Sequence, residues 1–139
     1  MNLSPEMQKT FTDEIHFIAE KMKATNIPAE KLYFFSAGYG MAQRTINFEY
    51  EPELSFIHQV LSLVYNMVNL RLMAIAGRQE GGISIPDNLF NRLEEALEEM
   101  ADRIEQGLET YPALQKMVNL AYSTTGNGYY LYLKGMLTV

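Results

Sequence analysis

The stretch LYFFSAGYGMAQRTINFEY, residues 32–50, decides whether the chain is all-α or contains a β-hairpin. The apolar residues that recur in it at spacings of three and four, as on one helix face, are Leu32, Phe35, Tyr39, Ala42 and Ile46. Gly38 and Gly40 argue against a helix, because each costs roughly 1 kcal/mol in a helix interior. The alternative is a hairpin that turns at GYG, with Ile46 and Phe48 alternating against polar neighbours. Because LYFFSA does not alternate as a strand would, we predict a helix.

Small residues crowd the middle of this predicted helix: Ser36, Ala37, Gly38, Gly40 and Ala42. They would let a neighbouring backbone approach closely or leave room for a ligand. A second apolar row, roughly 100° or more from the first, consists of Phe34, Gly38, Met41 and Thr45. A helix with two apolar sides needs two packing partners, either two layers of its own domain or one layer plus another subunit.

Amphipathic helices are predicted on both sides of this segment. The first covers residues 5–23, with Ser4 as its cap and a proline in its first turn. The next covers Pro52 to Ala76, which at 1.5 Å per residue is on the order of 37 Å long. This helix is long enough to run through the whole domain.

A fourth helix is predicted to begin at Pro86 and Asp87, after a polar loop. Its apolar stripe consists of Leu89, Leu93, Leu97, Met100, Ile104 and Leu108. A shorter helix covers Ala113 to Tyr122, STTGNG is a polar turn, and the tail from residue 129 is either a last helix or an edge strand.

These elements predict a single all-α domain over residues 1–139, a bundle of five or six helices with the long 52–76 helix at its centre. An α+β fold with a β-hairpin at about residues 32–50 is the alternative. No internal repeat or linker divides the chain.

The composition narrows the classes of function. The chain has no cysteine, which excludes disulfides, thiolate metal sites and a cysteine nucleophile, and fits a cytoplasmic location. Seventeen acidic residues against eleven basic ones give a net charge of −6, and no basic cluster occurs, so we expect no nucleic-acid partner. The longest apolar stretch is interrupted by Arg71, His58 and several amides, so we expect no membrane span.

The 52–76 helix carries a row of polar residues on an otherwise apolar cylinder: Ser55, His58, Gln59, Ser62, Asn66 and Asn69, flanked by Tyr65. At 100° per residue this polar row spans a stripe roughly 100° wide. It contains no aspartate, glutamate, lysine or arginine between Glu53 and Arg71, which is unusual for a solvated face.

Three interpretations of the polar row compete. It is the water-facing side of the helix, or a hydrogen-bonded seam against a second chain or another helix, or the lining of a ligand cavity. An unpaired amide or imidazole in a buried seam would cost roughly 1–3 kcal/mol, so a seam must be nearly fully satisfied.

The other polar clusters give little support for a catalytic or metal-binding site. Asp13, His16 and Glu20 share a face of the first helix, which we interpret as an exposed mixed-charge surface rather than a metal site. The carboxylates of residues 94–105 point away from the leucine stripe, so we interpret them as a solvated face. TGNG lacks the lysine of a phosphate-binding loop. We therefore predict no catalytic residue, no metal and no cofactor.

We predict a non-enzymatic interaction or structural protein that forms a homodimer. Binding to a different protein partner is also consistent with the sequence. The interface or ligand candidates are Ser55, His58, Ser62, Tyr65, Asn66 and Asn69. The alternative is a small-molecule binding protein or enzyme with a pocket between residues 28–47 and 52–77, where the SAGYG face and the polar row would enclose a common cavity.

Overall fold

A computed structural model of the protein describes residues 1–76 and 88–124. These residues form five α-helices and no strand: α1 Pro5–Lys23, α2 Pro28–Phe48, α3 Pro52–Ala76, α4 Leu89–Glu105 and α5 Tyr111–Tyr122. The predicted all-α fold is confirmed. The predicted loop at 77–87, the helix start at Pro86 and Asp87, and the turn and tail from residue 125 lie outside the described residues.

The alternative hairpin at residues 32–50 is wrong, because α2 runs without interruption through GYG. A β-carbon added to Gly38 would lie 3.4 Å from Cδ1 of Leu61 and 3.9 Å from those of Ile15 and Ile18. Gly38 therefore lies where α1 and α3 both reach α2, as expected for a helix with two packing partners. The apolar contacts made at this point offset the low helix propensity of glycine.

The five helices form a closed ring. α1 packs against α2 and α4, α3 packs against α2 and α5, and α4 packs against α5. α3 is the longest of the described helices, but its main contacts are with only two neighbours. Its buried residues therefore lie on one side, whereas a further side faces solvent.

α4 ends earlier than its apolar stripe predicts. Gly107 has φ +70°, and the N–H groups of Leu108 and Gly107 donate to the carbonyls of Arg103 (2.8 Å) and Ile104 (3.1 Å). This is the hydrogen-bond pattern of a Schellman turn, which stops a helix at a left-handed glycine. Leu108 consequently lies beyond the helix and is 50% exposed, so its place in the predicted stripe is wrong.

One carboxylate of α4 departs from the predicted solvated face. Glu94 is buried against Lys31 of α2, whereas Glu95, Asp102 and Glu105 are exposed as expected. Within the described residues, every buried side-chain nitrogen and oxygen has a hydrogen-bond partner. The interior thus carries a buried charge without an unpaired polar group.

Candidate functional site

The polar row of α3 does not form one surface. His58 and Tyr65 turn toward α2, where the ring centroid of Tyr39 lies 6.0 Å from that of His58 and 5.7 Å from that of Tyr65. Ser55, Ser62 and Asn69 are partly buried, whereas Gln59 and Asn66 are exposed. Of the six candidate residues, five are thus partly buried and only Asn66 is exposed.

Tyr39 lies in the contact between α2 and α3. It lies within the SAGYG segment, and its ring meets His58 edge to face, an arrangement that aromatic rings favour. The SAGYG segment therefore meets His58 through the Tyr39 ring.

A different row of α3 residues faces solvent. This α3 outer row consists of Phe56, Gln59, Leu63, Asn66, Leu70 and Met73. Its apolar members are 45% exposed at Phe56 and Leu63, 67% at Leu70 and 63% at Met73. Exposed leucines are common singly, whereas a row of large apolar side chains along one helix is a candidate interaction surface.

The spacing of the α3 outer row is that of a coiled-coil seam. Phe56, Leu63 and Leu70 are seven residues apart, and the other three members follow each of them by three residues. The seven-residue spacing is present in the sequence. It is easily missed when the polar residues of α3 are considered separately from its apolar ones. Of the candidates predicted from the sequence, only Asn66 belongs to the outer row.

A small cavity lies beside the outer row. It measures ≈ 270 Å³ and is lined by Ala29, Leu32, Tyr33, Tyr65, Asn69, Leu72 and Met73. The cavity lies between α2 and α3, as the alternative interpretation predicts, but nearer the start of α2. Tyr65 and Asn69 line it, whereas His58 and Ser62 do not. Asn69 also donates through Nδ2 to Sδ of Met73 at 3.5 Å.

Asp13 and His16, which were predicted to share an exposed face of α1, have different partners. Asp13 accepts from Nζ of Lys9 at 2.7 Å, and this hydrogen bond and the Asp13 charge raise the pKa of Lys9 above its ordinary value, with a smaller contribution from Glu105. His16 reaches α4 instead, where its Nε2 lies 3.4 Å from Oδ1 of Asp102 and 3.2 Å from Oε1 of Glu105. The sequence does not reveal this pairing, because the two helices are far apart in the chain.

Among the described helices, none combines the length and the apolar character needed to cross a membrane. No protein-family model matches the sequence, and neither a curated protein nor a solved structure matches the chain.

Proposed function

We propose that this chain is a non-enzymatic interaction protein that self-associates as a homodimer through the α3 outer row. The observation that carries the proposal is the exposure of Phe56, Leu63, Leu70 and Met73 along one side of α3. Burying them against a second copy would remove apolar surface from water, which contributes roughly 25 cal/mol per Å².

The spacing of the outer row suits another helix as its partner. A seven-residue repeat keeps the same side of a helix facing a partner helix when the two supercoil slightly. The row from Phe56 to Met73 extends for about 26 Å at 1.5 Å per residue. A stable interface needs roughly 800 Å² from each copy, so the adjoining Tyr33, which is 71% exposed, would also be covered.

Charge favours a second copy over a charged partner. The chain carries a net charge of −6, so two copies repel each other unless they meet through a neutral surface. The outer row contains no charged side chain, and none occurs on α3 between Glu53 and Arg71. When this uncharged face packs against the same face of a second copy, no like charges come into contact.

The two amides of the row suit a symmetric contact. In a twofold interface each patch meets the same patch of the other copy. Gln59 and Asn66 carry both donors and acceptors, so each amide can pair with an amide of the partner. A buried amide at a coiled-coil seam selects the register and the number of chains, at some cost in stability.

Light scattering after size-exclusion chromatography tests the proposal. We expect the wild-type protein to have twice the chain mass of 15.9 kDa, and a Leu63→Glu/Leu70→Glu variant to have the mass of one chain with unchanged helical circular dichroism. Leu108→Glu is the matched control, because Leu108 is similarly exposed but lies outside α3. A wild-type monomer at micromolar concentration, or a double variant that stays dimeric, contradicts the proposal.

Disulfide cross-linking can identify the face directly, because the chain has no cysteine. Leu63→Cys and Leu70→Cys introduce single thiols that can only bridge two copies, and bridging needs Cα atoms roughly 4.4–6.8 Å apart. In a parallel pairing both variants cross-link. In an antiparallel pairing centred near Leu63, only Leu63→Cys cross-links efficiently. Equal cross-linking of a Leu108→Cys control would show that the contact is not specific.

A small-molecule site in the α2–α3 cavity is the second candidate function. The observation that favours it is the placement of Tyr65 and Asn69, a phenol and an amide, in the wall of an otherwise largely apolar cavity. Native mass spectrometry of the purified protein tests it. A retained mass that is lost on denaturation, and also lost in an Asn69→Leu variant, would favour this function over self-association alone.

A further inference from the structure

Three metal-binding side chains converge between α1 and α4. They are His16 on α1 and Asp102 and Glu105 on α4, and one ligand atom from each lies within 4.8 Å of the other two. Asp102 and Glu105 are three residues apart, so they share one face of α4. We call these residues the α1–α4 cluster.

We propose that the α1–α4 cluster binds a divalent transition-metal ion of the Zn²⁺ class. Two ligands bound at 2.0–2.1 Å in tetrahedral geometry lie about 3.3–3.4 Å from each other. The Nε2 atom of His16 lies 3.2 Å from Oε1 of Glu105 and 3.4 Å from Oδ1 of Asp102. The imidazole and each carboxylate therefore already have the separation that a shared zinc ion requires.

The backbone is anchored on both sides of the cluster, whereas the carboxylate side chains can adjust. Ile15 and Ala101, the chain neighbours of His16 and Asp102, are fully buried, which anchors the backbone on both sides of the cluster. The Asp102 and Glu105 side chains are 55% and 44% exposed, so they can rotate to bring their oxygens closer together. Three protein ligands leave a coordination position for water.

The ligand set selects the class of ion. Imidazole nitrogen suits zinc, copper, nickel and iron, whereas magnesium and calcium prefer oxygen ligands. The two carboxylates supply a charge of −2, which balances a divalent ion. Lys9 is bound to Asp13 at 2.7 Å, so its ammonium group is held by a carboxylate outside the cluster.

This inference is independent of the proposed dimer. The cluster lies on α1 and α4, whereas α3 has its main contacts with α2 and α5. A failure of one proposal therefore leaves the other in place.

Isothermal titration of the purified, metal-free protein with ZnCl₂ tests the site. We expect saturable binding of one Zn²⁺ per chain, with affinity reduced at least about tenfold in His16→Gln and in Asp102→Asn, since even residues that only support metal ligands contribute about 10–100-fold. His58→Gln is the matched control, because His58 is the only other histidine and lies on α3. Its affinity for zinc should equal that of the wild type.

Titration with MgCl₂ and CaCl₂ separates a coordination site from a general attraction of cations to an acidic surface. Weak or no binding of these ions supports the proposal. Unsaturable zinc binding, or binding that His16→Gln leaves unchanged while circular dichroism shows an intact fold, would overturn it. A loss of zinc binding in His58→Gln would do so as well.

Discussion

Nζ of Lys31 lies 2.7 Å from Oε1 of Glu94 and 2.6 Å from the carbonyl oxygen of Met22. The two side chains are only 11% and 4% exposed, so this is a buried ion pair. It joins the start of α2 to α4 and to the last turn of α1, where the ammonium also meets the negative end of the helix dipole. One lysine thereby ties together three helices.

Lys31→Met should destabilise the fold by about 3–5 kcal/mol, because the Glu94 carboxylate would remain buried without its counter-charge. A Lys31→Met/Glu94→Leu variant should recover much of this loss, since well-packed apolar residues often replace a buried pair at little cost. Urea unfolding measures both differences. A single variant as stable as the wild type would show that Glu94 is not held in the interior by Lys31.

Two glycines of α2 should respond oppositely to substitution. A β-carbon at Gly40 meets no atom of the described residues within 4 Å, so Gly40→Ala should stabilise the protein by roughly 0.5–1 kcal/mol through helix propensity. Gly38→Leu should destabilise it by about 1–3 kcal/mol, because a larger side chain must displace Leu61 or the neighbouring isoleucines. Thermal unfolding of each variant checks these signs, and equal effects at the two sites would contradict the close packing at Gly38.

Gly107→Ala should destabilise the protein by about 1–2 kcal/mol, because Gly107 has φ +70° and a β-carbon is unfavourable in the left-handed region. No side chain of residues 1–76 or 88–124 would obstruct the new methyl group, so the effect should come from the backbone. Gly40→Ala, which adds the same methyl group within a helix, is the matched control. A midpoint of thermal unfolding that does not fall would argue against the Schellman turn.

Glu99 should contribute a stability that depends on pH. Its hydrogen bond to Lys116, assisted by Arg103, lowers the pKa of the carboxyl below its ordinary value of 4.5. The contribution is therefore fully present above pH 4.5 and is lost as the pH falls through the lowered pKa of the folded state. The difference in unfolding free energy between wild type and Glu99→Gln should shrink on acidification, while the exposed Glu95→Gln control should not reproduce this change.

Local sequence signals predicted much of the helical framework. Prolines in the first turn mark the starts of α1, α2 and α3, and the bounds of α1 and α3 agree with the predicted ones. These signals act within a few residues of the chain, so periodicity and turn chemistry suffice to read them. Gly107 also interrupts the apolar pattern near the end of α4, and the structure has a left-handed residue there, although the leucine spacing predicted that Leu108 belongs to the stripe.

The candidate surfaces depended on which helices become neighbours. Leu63 is exposed and Leu61 is buried, although both are leucines of one helix, because α2 and α5 cover only part of α3. His58 contacts Tyr39 of α2, and His16 contacts α4. Each of these contacts joins two helices through residues that are not close in the sequence.

The sequence by itself determined that the described residues fold into helices and where most of these helices begin and end, because hydrophobic period, proline and capping are local properties. Only the tertiary structure decided that Glu94 is buried with Lys31 and that the exposed side of α3 carries Phe56 and Leu70. The physical reason is that burial and pairing depend on contacts between helices, and those contacts arise from packing rather than from the spacing of residues along one helix.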